Sequence, residues 1–431
     1  MQAALVPLLL HHLGRDAFGL FATLTSLAGY FALLTFGSAL TVPRYVAQHA
    51  ARNDRVGLSA FVSTYFVVHL AVAAIGVVIA LALSPVLSAK LTVPLGLQPL
   101  IPRAWALVVG AWALGLMGGL CQSFLNGVGD VAIANLANSI RSLLTLLAAG
   151  IAIASGHGIS GVLGALMFAS LLGSVIAYGL VRHRRPDIEI APSLASRAIL
   201  RETLRPASLY FLMQIAALVV TGTDNVIIGS VLGVGEVAGY AVAFQLWAMG
   251  LALLWSGVDA LQPFITRWDV ENETEKLRGA YLRATAFSVA GAGLFALVLV
   301  VWGQDIVRLW VGGAVSVDRR VLAVFAGKLL TATPIHTAAL VLAGLGKHKP
   351  VALGGAAEAA LNLVISLVLV RSLGVLGVAL GTLLSGMVTN FWIAPLTANR
   401  ALGISGGTYL RWIAPALSPA AVALAILLLQ P

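Results

Sequence analysis

The residues of this chain best placed to do chemistry are four charged side chains inside long apolar stretches of sequence. A charge at the centre of a membrane helix costs about 2.5 to 3.5 kcal/mol on insertion scales, so such a residue needs a polar partner or a function. Two of the four are acids, Asp224 and Glu358, and two are bases, Arg141 and Lys328. Carboxylates suit a coupling ion or sugar hydroxyls, whereas guanidinium groups pair with phosphate oxygens. These four residues are therefore the first candidates for a binding site.

Asp224 is accompanied by further polar residues, Thr221, Thr223 and Asn225. One interpretation is a polar cluster that binds a coupling ion or a sugar. The other is a structural acid, bonded to neighbouring hydroxyls or to a facing helix. The sequence leaves both interpretations open.

Arg141 and Glu358 are opposite charges at equivalent places in an internal repeat, 217 positions apart (358 − 141 = 217). One interpretation assigns Arg141 to a cationic site for phosphate groups or acidic sugars. In the other interpretation, each charge is neutralised by a partner in its own half of the chain. The partner of Glu358 would then be Asn362, four residues further on. Both are retained.

Three further polar residues, His336, Arg44 and Gln214, are weaker candidates. His336 either forms a proton-responsive pair with Lys328, or both are ordinary polar groups with structural partners. Arg44 follows Pro43 at the end of an apolar stretch, where it either attracts an anion or anchors the helix at the membrane surface. Gln214 adds uncharged hydrogen-bonding capacity, which suits sugars.

The composition requires these residues to be held by membrane helices. Sixty per cent of the residues are hydrophobic, 10% are charged and the mean hydropathy is +0.98. Only helices and closed barrels satisfy their backbone hydrogen bonds in lipid, and apolar stretches of about 20 residues fit helices. Thirteen such stretches are present, although the first, residues 2–12, is too short to span alone. We therefore expect an all-α polytopic protein with 12 or 13 transmembrane helices.

The chain has an internal repeat. Asp16 and Glu236, Gly19 and Gly239, and Pro43 and Pro263 are each 220 positions apart. This spacing predicts two pseudo-symmetric six-helix lobes, the first at 1–181 and the second at 207–397. A basic cytoplasmic linker at 182–206 would join them, and an appended helix at 398–431 would follow. Six helices per lobe is an even number, so the two repeats are expected to be parallel.

The distribution of basic residues predicts the orientation. With a cytoplasmic N-terminus, 17 of the 26 lysine and arginine residues fall in cytoplasmic connections and 7 in outer ones. That split satisfies the positive-inside rule. The net charge of +10 then reflects topology and does not indicate nucleic-acid binding. Cys121 is the only cysteine, and no nucleotide, metal or hydrolase motif is present, so we predict neither an enzyme nor a cofactor or metal site.

Three motifs carry a resemblance to a known family. They are Leu13-Gly-Arg-Asp-Ala-Phe-Gly-Leu-Phe, the stretch from Asp224 to Tyr240, and Gly374-Val-Leu-Gly-Val-Ala. They resemble the polysaccharide biosynthesis and O-antigen flippase family, which shares a superfamily with the multidrug-and-toxin-extrusion (MATE) transporters. The resemblance implies a MATE-like bundle in the bacterial cytoplasmic membrane. It also implies a cleft that carries an oligosaccharide on undecaprenyl pyrophosphate to the outer leaflet.

The resemblance gives the candidate residues roles. The substrate-binding candidates are Arg44, Arg141, Gln214, Asp224 and Lys328, and the coupling-ion candidates are Asp224, Glu358 and His336. Implied partners are the lipid-linked glycan, membrane lipids and glycan polymerase or assembly proteins.

Other functions stay open. An ion-coupled exporter of cationic drugs would use acids such as Asp224 and Asp259. A non-transporting scaffold for glycan assembly is not excluded. A glycan polymerase or ligase is disfavoured, because the longest outer loops, at about 84–103 and 303–320, are short.

Overall fold

The computed structural model describes the backbone of residues 2–429 and their side chains apart from those of residues 2, 3, 40, 204–210 and 427. Within this range the protein is built from α-helices and short 3-10 turns, with no strand, which confirms the all-α prediction. The helices are α1 Gln2–Gly29, α2 Ser38–Ala51, α3 Arg55–Lys90, α4 Ile101–Gly127, α5 Val131–Ala154, α6 Gly158–Arg184, α7 Arg197–Val231, α8 Val234–Asp259, α9 Gln262–Val270, α10 Thr274–Val311, α11 Arg319–Gly344, α12 Lys349–Leu373, α13 Val375–Val388, α14 Asn390–Leu402, α15 Gly406–Ile413 and α16 Ser418–Leu429.

Twelve helical segments in the described part of the chain are long and apolar enough to cross a membrane, as predicted. The predicted first stretch, 2–12, lies in the first arm of α1, and the two arms meet at Gly14. The predicted second stretch, at about 18–41, begins in the second arm and continues through the 3-10 turn Tyr30–Thr35 into α2. Gly14 has a φ of 79°, in the left-handed region that a residue without a Cβ adopts readily. The short first stretch is therefore continuous in sequence with a longer helix, and the two together form one of the twelve segments.

The chain divides into two compact units. Unit 1 is Met1–Ile215 with Gly233–Gly235, and unit 2 is Ala216–Leu232 with Glu236–Pro431. Each has apolar cores of its own, around Leu24 and Phe124 in unit 1 and around Tyr281 in unit 2. The units divide within α7, whereas the predicted lobes divide at the linker 182–206, so the predicted lobe boundaries stay a prediction.

Polar contacts tie segments of unit 1 together. Arg184, at the end of α6, donates two hydrogen bonds of 2.8 and 3.1 Å to Asp130, just before α5. These bonds hold the pKa of the Asp130 carboxyl below its ordinary value, so the ion pair forms at neutral pH. Arg15, directly after Gly14 in α1, donates from Nε to the Gly235 carbonyl oxygen at 2.6 Å. Each contact thus joins segments of unit 1 that are far apart in the sequence.

One close helix contact in unit 1 gives a test of the fold. A Cβ on Gly19, in the second arm of α1, would lie 1.7 Å from the carbonyl oxygen of Val234. Because that neighbour is backbone, we expect Gly19→Ala to destabilise the protein by about 3 kcal/mol, the upper end of typical overpacking costs. The thermal midpoint of purified protein would report it.

The matched control for this test is Gly164→Ala in α6. A Cβ on Gly164 meets no heavy atom within 4 Å. Alanine is the better helix former, so this variant should be as stable as wild type or slightly more so. Equal midpoints for the two variants would contradict the close contact at Gly19.

The twelfth of the thirteen predicted apolar stretches, at about residues 374–397, is a broken helix in unit 2. α13 ends and α14 begins on either side of Thr389, whose φ of −114° and ψ of −97° are not helical. Non-helical backbone at membrane depth is tolerated where protein covers it. Thr389 and Asn390 are each only 6% exposed, so the break lies inside unit 2. It places the Asn390 side chain at the start of a new helix.

The appended C-terminal segment packs on α10. Pro419 and Ala420 of α16 lie opposite Gly293, where a Cβ would come within 3.0 Å of the Ala420 backbone nitrogen. The small residue on α10 thus allows the last helix to approach closely.

Candidate functional site

Unit 1 contains a cavity of about 480 Å³ with a partly polar wall. Helices α1 to α7 and the 3-10 turn after α1 contribute to it. The polar side chains that line it are Thr25, Thr35, Ser38, His69, Ser123, Arg141, Ser170 and Gln214. Two of the predicted site residues, Arg141 and Gln214, therefore share one cavity.

Arg141 is the arginine that lines this cavity. It lies ten residues into α5, near the middle of the helix, and its side chain is exposed. The aliphatic part of the side chain packs on Gly173 of α6, where a Cβ would lie 2.7 Å from Arg141 Cγ. Nη2 donates a 2.8 Å hydrogen bond to Asn138 Oδ1, one turn away. The guanidinium is thus oriented by a neutral amide.

Gln214 and His69 supply uncharged hydrogen-bonding groups to the cavity. Gln214 Nε2 donates to the Ala32 carbonyl oxygen at 2.9 Å, and its Oε1 has no hydrogen-bond partner within the described residues. His69 Nδ1 lies 2.7 Å from the Tyr65 carbonyl oxygen and must donate to it. Nε2, 3.4 Å from Ser38 Oγ, is then an acceptor. Such neutral donors and acceptors suit hydroxyl groups.

His69 was not among the predicted site residues. The available signal was a histidine within an apolar stretch of α3, since an ionisable residue at that depth faces protein or a cavity. Arg44, which was predicted, is exposed on α2 and is not among the residues that line this cavity.

Unit 2 contains a buried polar cluster around Asp224. Asp224 Oδ2 accepts hydrogen bonds from the hydroxyl groups of Tyr240 and Thr382, the latter at 2.8 Å. Asn362 Nδ2 donates to Thr382 Oγ1 at 2.9 Å. All four residues are at most 2% exposed. Asp224 therefore bonds to hydroxyl groups on α8 and α13.

Lys328 and Glu358 complete this cluster. Lys328 Nζ lies 4.4 Å from the centre of the Trp247 ring and is within range of electrostatic interaction with both Asp224 and Glu358. Glu358 Oε2 accepts a 2.9 Å hydrogen bond from Asn390 Nδ2. The predicted partner, Asn362, bonds instead to Thr382, because its side chain points from α12 to α13.

His336 belongs to a separate group. Its Nε2 lies 2.7 Å from Asp259 Oδ1, and its ring stacks on Trp255 with a centroid distance of 4.0 Å. Lys328 and His336 thus have different partners, and the structure does not bring them together as a pair. Within the described residues, no group of three or more His, Cys, Asp or Glu is arranged to hold a metal ion.

The twelve apolar helical segments of the described residues define a multi-pass α-helical membrane protein. The family model described as polysaccharide biosynthesis protein matches residues 1–268, more than half of the 431 residues. The chain belongs to this polysaccharide biosynthesis family. Comparison with curated protein sequences found no significant match.

Solved structures of transporters share the fold. The inward-facing conformation of a multidrug resistance MATE family transporter of the MOP superfamily matches with a TM-score of 0.78 and 17% identity, covering 93% of this chain and 94% of that one. An outward-facing conformation of a multidrug resistance MATE family transporter matches with a TM-score of 0.66 and 18% identity. The match covers 93% of this chain and 91% of that one.

A third structure is a MOP superfamily transporter from Pyrococcus furiosus, in which reverse polarity of the binding pocket suggests a different function. It matches with a TM-score of 0.63 and 18% identity, covering 92% of this chain and 90% of that one. At these identities the likeness shows the fold alone. The fold is therefore one that solved MATE transporters share.

Proposed function

We propose that the protein is a flippase that moves a lipid-linked oligosaccharide, carried on undecaprenyl pyrophosphate, across the bacterial cytoplasmic membrane for surface polysaccharide synthesis. The observation that carries the proposal is Arg141, a charged side chain in the middle of a membrane helix that faces a polar cavity. A charge at that depth is costly unless it has a function or an acid partner, and its hydrogen-bond partner is the neutral Asn138.

The lining of the unit 1 cavity suits the two parts of such a passenger. Arginine binds phosphate and carboxylate oxygens through two parallel hydrogen bonds, so Arg141 is the residue for the pyrophosphate or an acidic sugar. The neutral groups of Gln214, His69 and Ser38 suit sugar hydroxyls. A cavity of about 480 Å³ is within the usual size range of small-molecule sites.

Alternating access is the mechanism we propose. Its support is the family and the MATE fold, of which inward-facing and outward-facing conformations have been solved in other proteins. Arg44, exposed in the middle of α2, would attract the anionic head group before it enters. Glycan polymerase or assembly proteins are the partners that would receive the exported glycan.

The second candidate function is an ion-coupled exporter of cationic drugs. The observation in its favour is that several similar folds are those of multidrug transporters. The charge of the unit 1 cavity argues against it, because Arg141 repels a cation. The acid it would use in unit 2, Asp224, is 1% exposed and bonded to two hydroxyl groups.

The test is leaflet exchange of an undecaprenyl-pyrophosphate oligosaccharide in proteoliposomes, with and without a proton or sodium gradient. We expect exchange that requires the protein. A lack of exchange for any lipid-linked glycan, together with gradient-driven movement of a cationic dye, would contradict the proposal and support the drug exporter.

A further inference from the structure

Two acids and one lysine come together in the core of unit 2, mostly or fully shielded from solvent. Asp224 is 1% exposed and Lys328 is 6% exposed, and Glu358 lies nearby on α12. Buried charges are stable only when they are paired and hydrogen-bonded. The question is which positive charge balances the two carboxylates.

Each carboxylate has its own neutral donors. Asp224 Oδ2 accepts from the Tyr240 and Thr382 hydroxyl groups. Glu358 Oε2 accepts from Asn390 Nδ2. Asn390 is also the first residue of α14, and the partial positive charge of a helix N-terminus stabilises a nearby anion. Glu358 is therefore partly compensated by the break in the twelfth stretch, whereas the donors to Asp224 are two neutral hydroxyl groups.

The positive charge that balances these carboxylates is the Lys328 ammonium. It interacts electrostatically with both carboxylates and lies on the face of the Trp247 ring, a contact that favours a cation. It makes no hydrogen bond to any described residue. One oxygen of Asp224, Oδ1, likewise has no hydrogen-bond partner among the described residues. The ammonium and this oxygen are thus complementary groups in one buried core.

The same core has the ligand chemistry of an alkali-cation site. Asp224 and Asn362 both bond to the Thr382 hydroxyl, and each has one side-chain oxygen that no described residue contacts by a hydrogen bond. Hard cations prefer carboxylate and amide oxygens. A second cation placed there would be repelled by the ammonium of Lys328 in a medium of low dielectric constant.

We propose that the Lys328 ammonium is the resident counter-cation of Asp224 and keeps sodium and other alkali cations out of the core of unit 2. Lys328 is then a residue that determines ion specificity. The inference does not depend on the passenger, because it concerns ion binding to the resting protein. It also gives Lys328 a role other than substrate binding, in keeping with its burial beneath the Trp247 ring.

The test compares thermal midpoints in chloride salts of choline, potassium and sodium at equal ionic strength. We expect the wild-type midpoint to be the same in all three. Lys328→Met keeps an apolar stem of similar length but removes the charge, so its midpoint should fall in choline and recover by several degrees in sodium. A ligand that binds only the native state raises stability with its concentration. Radiolabelled sodium should bind this variant and not the wild type.

Two further variants make the result specific. Asp224→Asn combined with Lys328→Met removes both charges, and we expect it to be stable and insensitive to sodium. Lys276→Met is the matched control, since Lys276 is 62% exposed and pairs with Glu273 on the surface; it should behave as wild type. If Lys328→Met alone fails to fold and the double variant folds, the pairing is supported.

Several outcomes would overturn the proposal. They are sodium-dependent stabilisation of the wild type that is lost in Asp224→Asn, a Lys328→Met variant as stable as wild type in choline, and a destabilised Lys328→Met variant that gains no response to sodium. Failure of both the single and the double variant to fold would also contradict it, because removing a mutual pair should be tolerated better than removing one member.

Discussion

Replacing Arg141 with glutamine is expected to slow leaflet exchange of the lipid-linked oligosaccharide by about 10- to 100-fold, the effect of losing one charge-assisted hydrogen-bonded contact. The side chain faces the unit 1 cavity and donates to Asn138. Glutamine keeps a hydrogen-bonding group near Asn138 but cannot hold an anion through two parallel bonds. The amount of protein in the membrane should stay near the wild-type level, because no ion pair is broken.

Two variants sharpen this experiment. Arg141→Lys keeps the charge and loses the planar donor geometry, so its rate should lie between those of wild type and the glutamine variant. Arg320→Gln removes a 75% exposed arginine that pairs with Asp318 at the start of α11, and should leave exchange unchanged. Full exchange by Arg141→Gln at normal protein levels would remove Arg141 from the binding site.

Replacing Asp224 with alanine is expected to cost about 3 to 5 kcal/mol of stability, the typical result of breaking a buried charge pair by removing one partner. Three groups lose their acceptor or counter-charge at once, namely the hydroxyls of Tyr240 and Thr382 and the ammonium of Lys328. Because Asp224 is 1% exposed, water cannot replace these interactions. Thermal or denaturant unfolding of the detergent-solubilised protein would measure the loss.

The control for this prediction is Asp259→Ala. Asp259 also bonds to a polar partner, His336 at 2.7 Å, but its side chain is 49% exposed, so the loss should be smaller. Asp224→Asn keeps an acceptor for the hydroxyl groups and removes only the charge, and it should fall between wild type and Asp224→Ala. Similar stabilities for the two alanine variants would show that burial of the acid does not determine how much stability is lost.

The helical architecture was predictable because hydropathy reports it directly. A membrane helix needs about 20 apolar residues in a row, and that signal survives without knowledge of any contact. The two arms of α1 were less clear, since the helical stretches on either side of the non-helical Gly14 follow each other without an intervening loop. The charged residues at membrane depth were also visible in the sequence, because each stands out against an apolar background.

The partners of those residues were not predictable. Glu358 and Asn362 are four residues apart on one helix, a spacing that brings side chains together, yet each bonds to a different neighbour. Asn390 reaches Glu358 only because the helix breaks at Thr389, and no proline or glycine marks that position. Tyr240 ends the motif that begins at Asp224, but the bond between these two residues depends on the packing of α7 against α8.

The break at Thr389 also has a mechanical consequence. It divides one membrane stretch into α13 of 14 residues and α14 of 13 residues. Each is about 20 Å long, so neither crosses a hydrocarbon core of about 30 Å alone. A continuous helix resists bending through its ladder of hydrogen bonds, whereas this joint already lacks part of the ladder. One half can therefore tilt while the other stays fixed, and Asn390, at the joint, would transmit that tilt to Glu358.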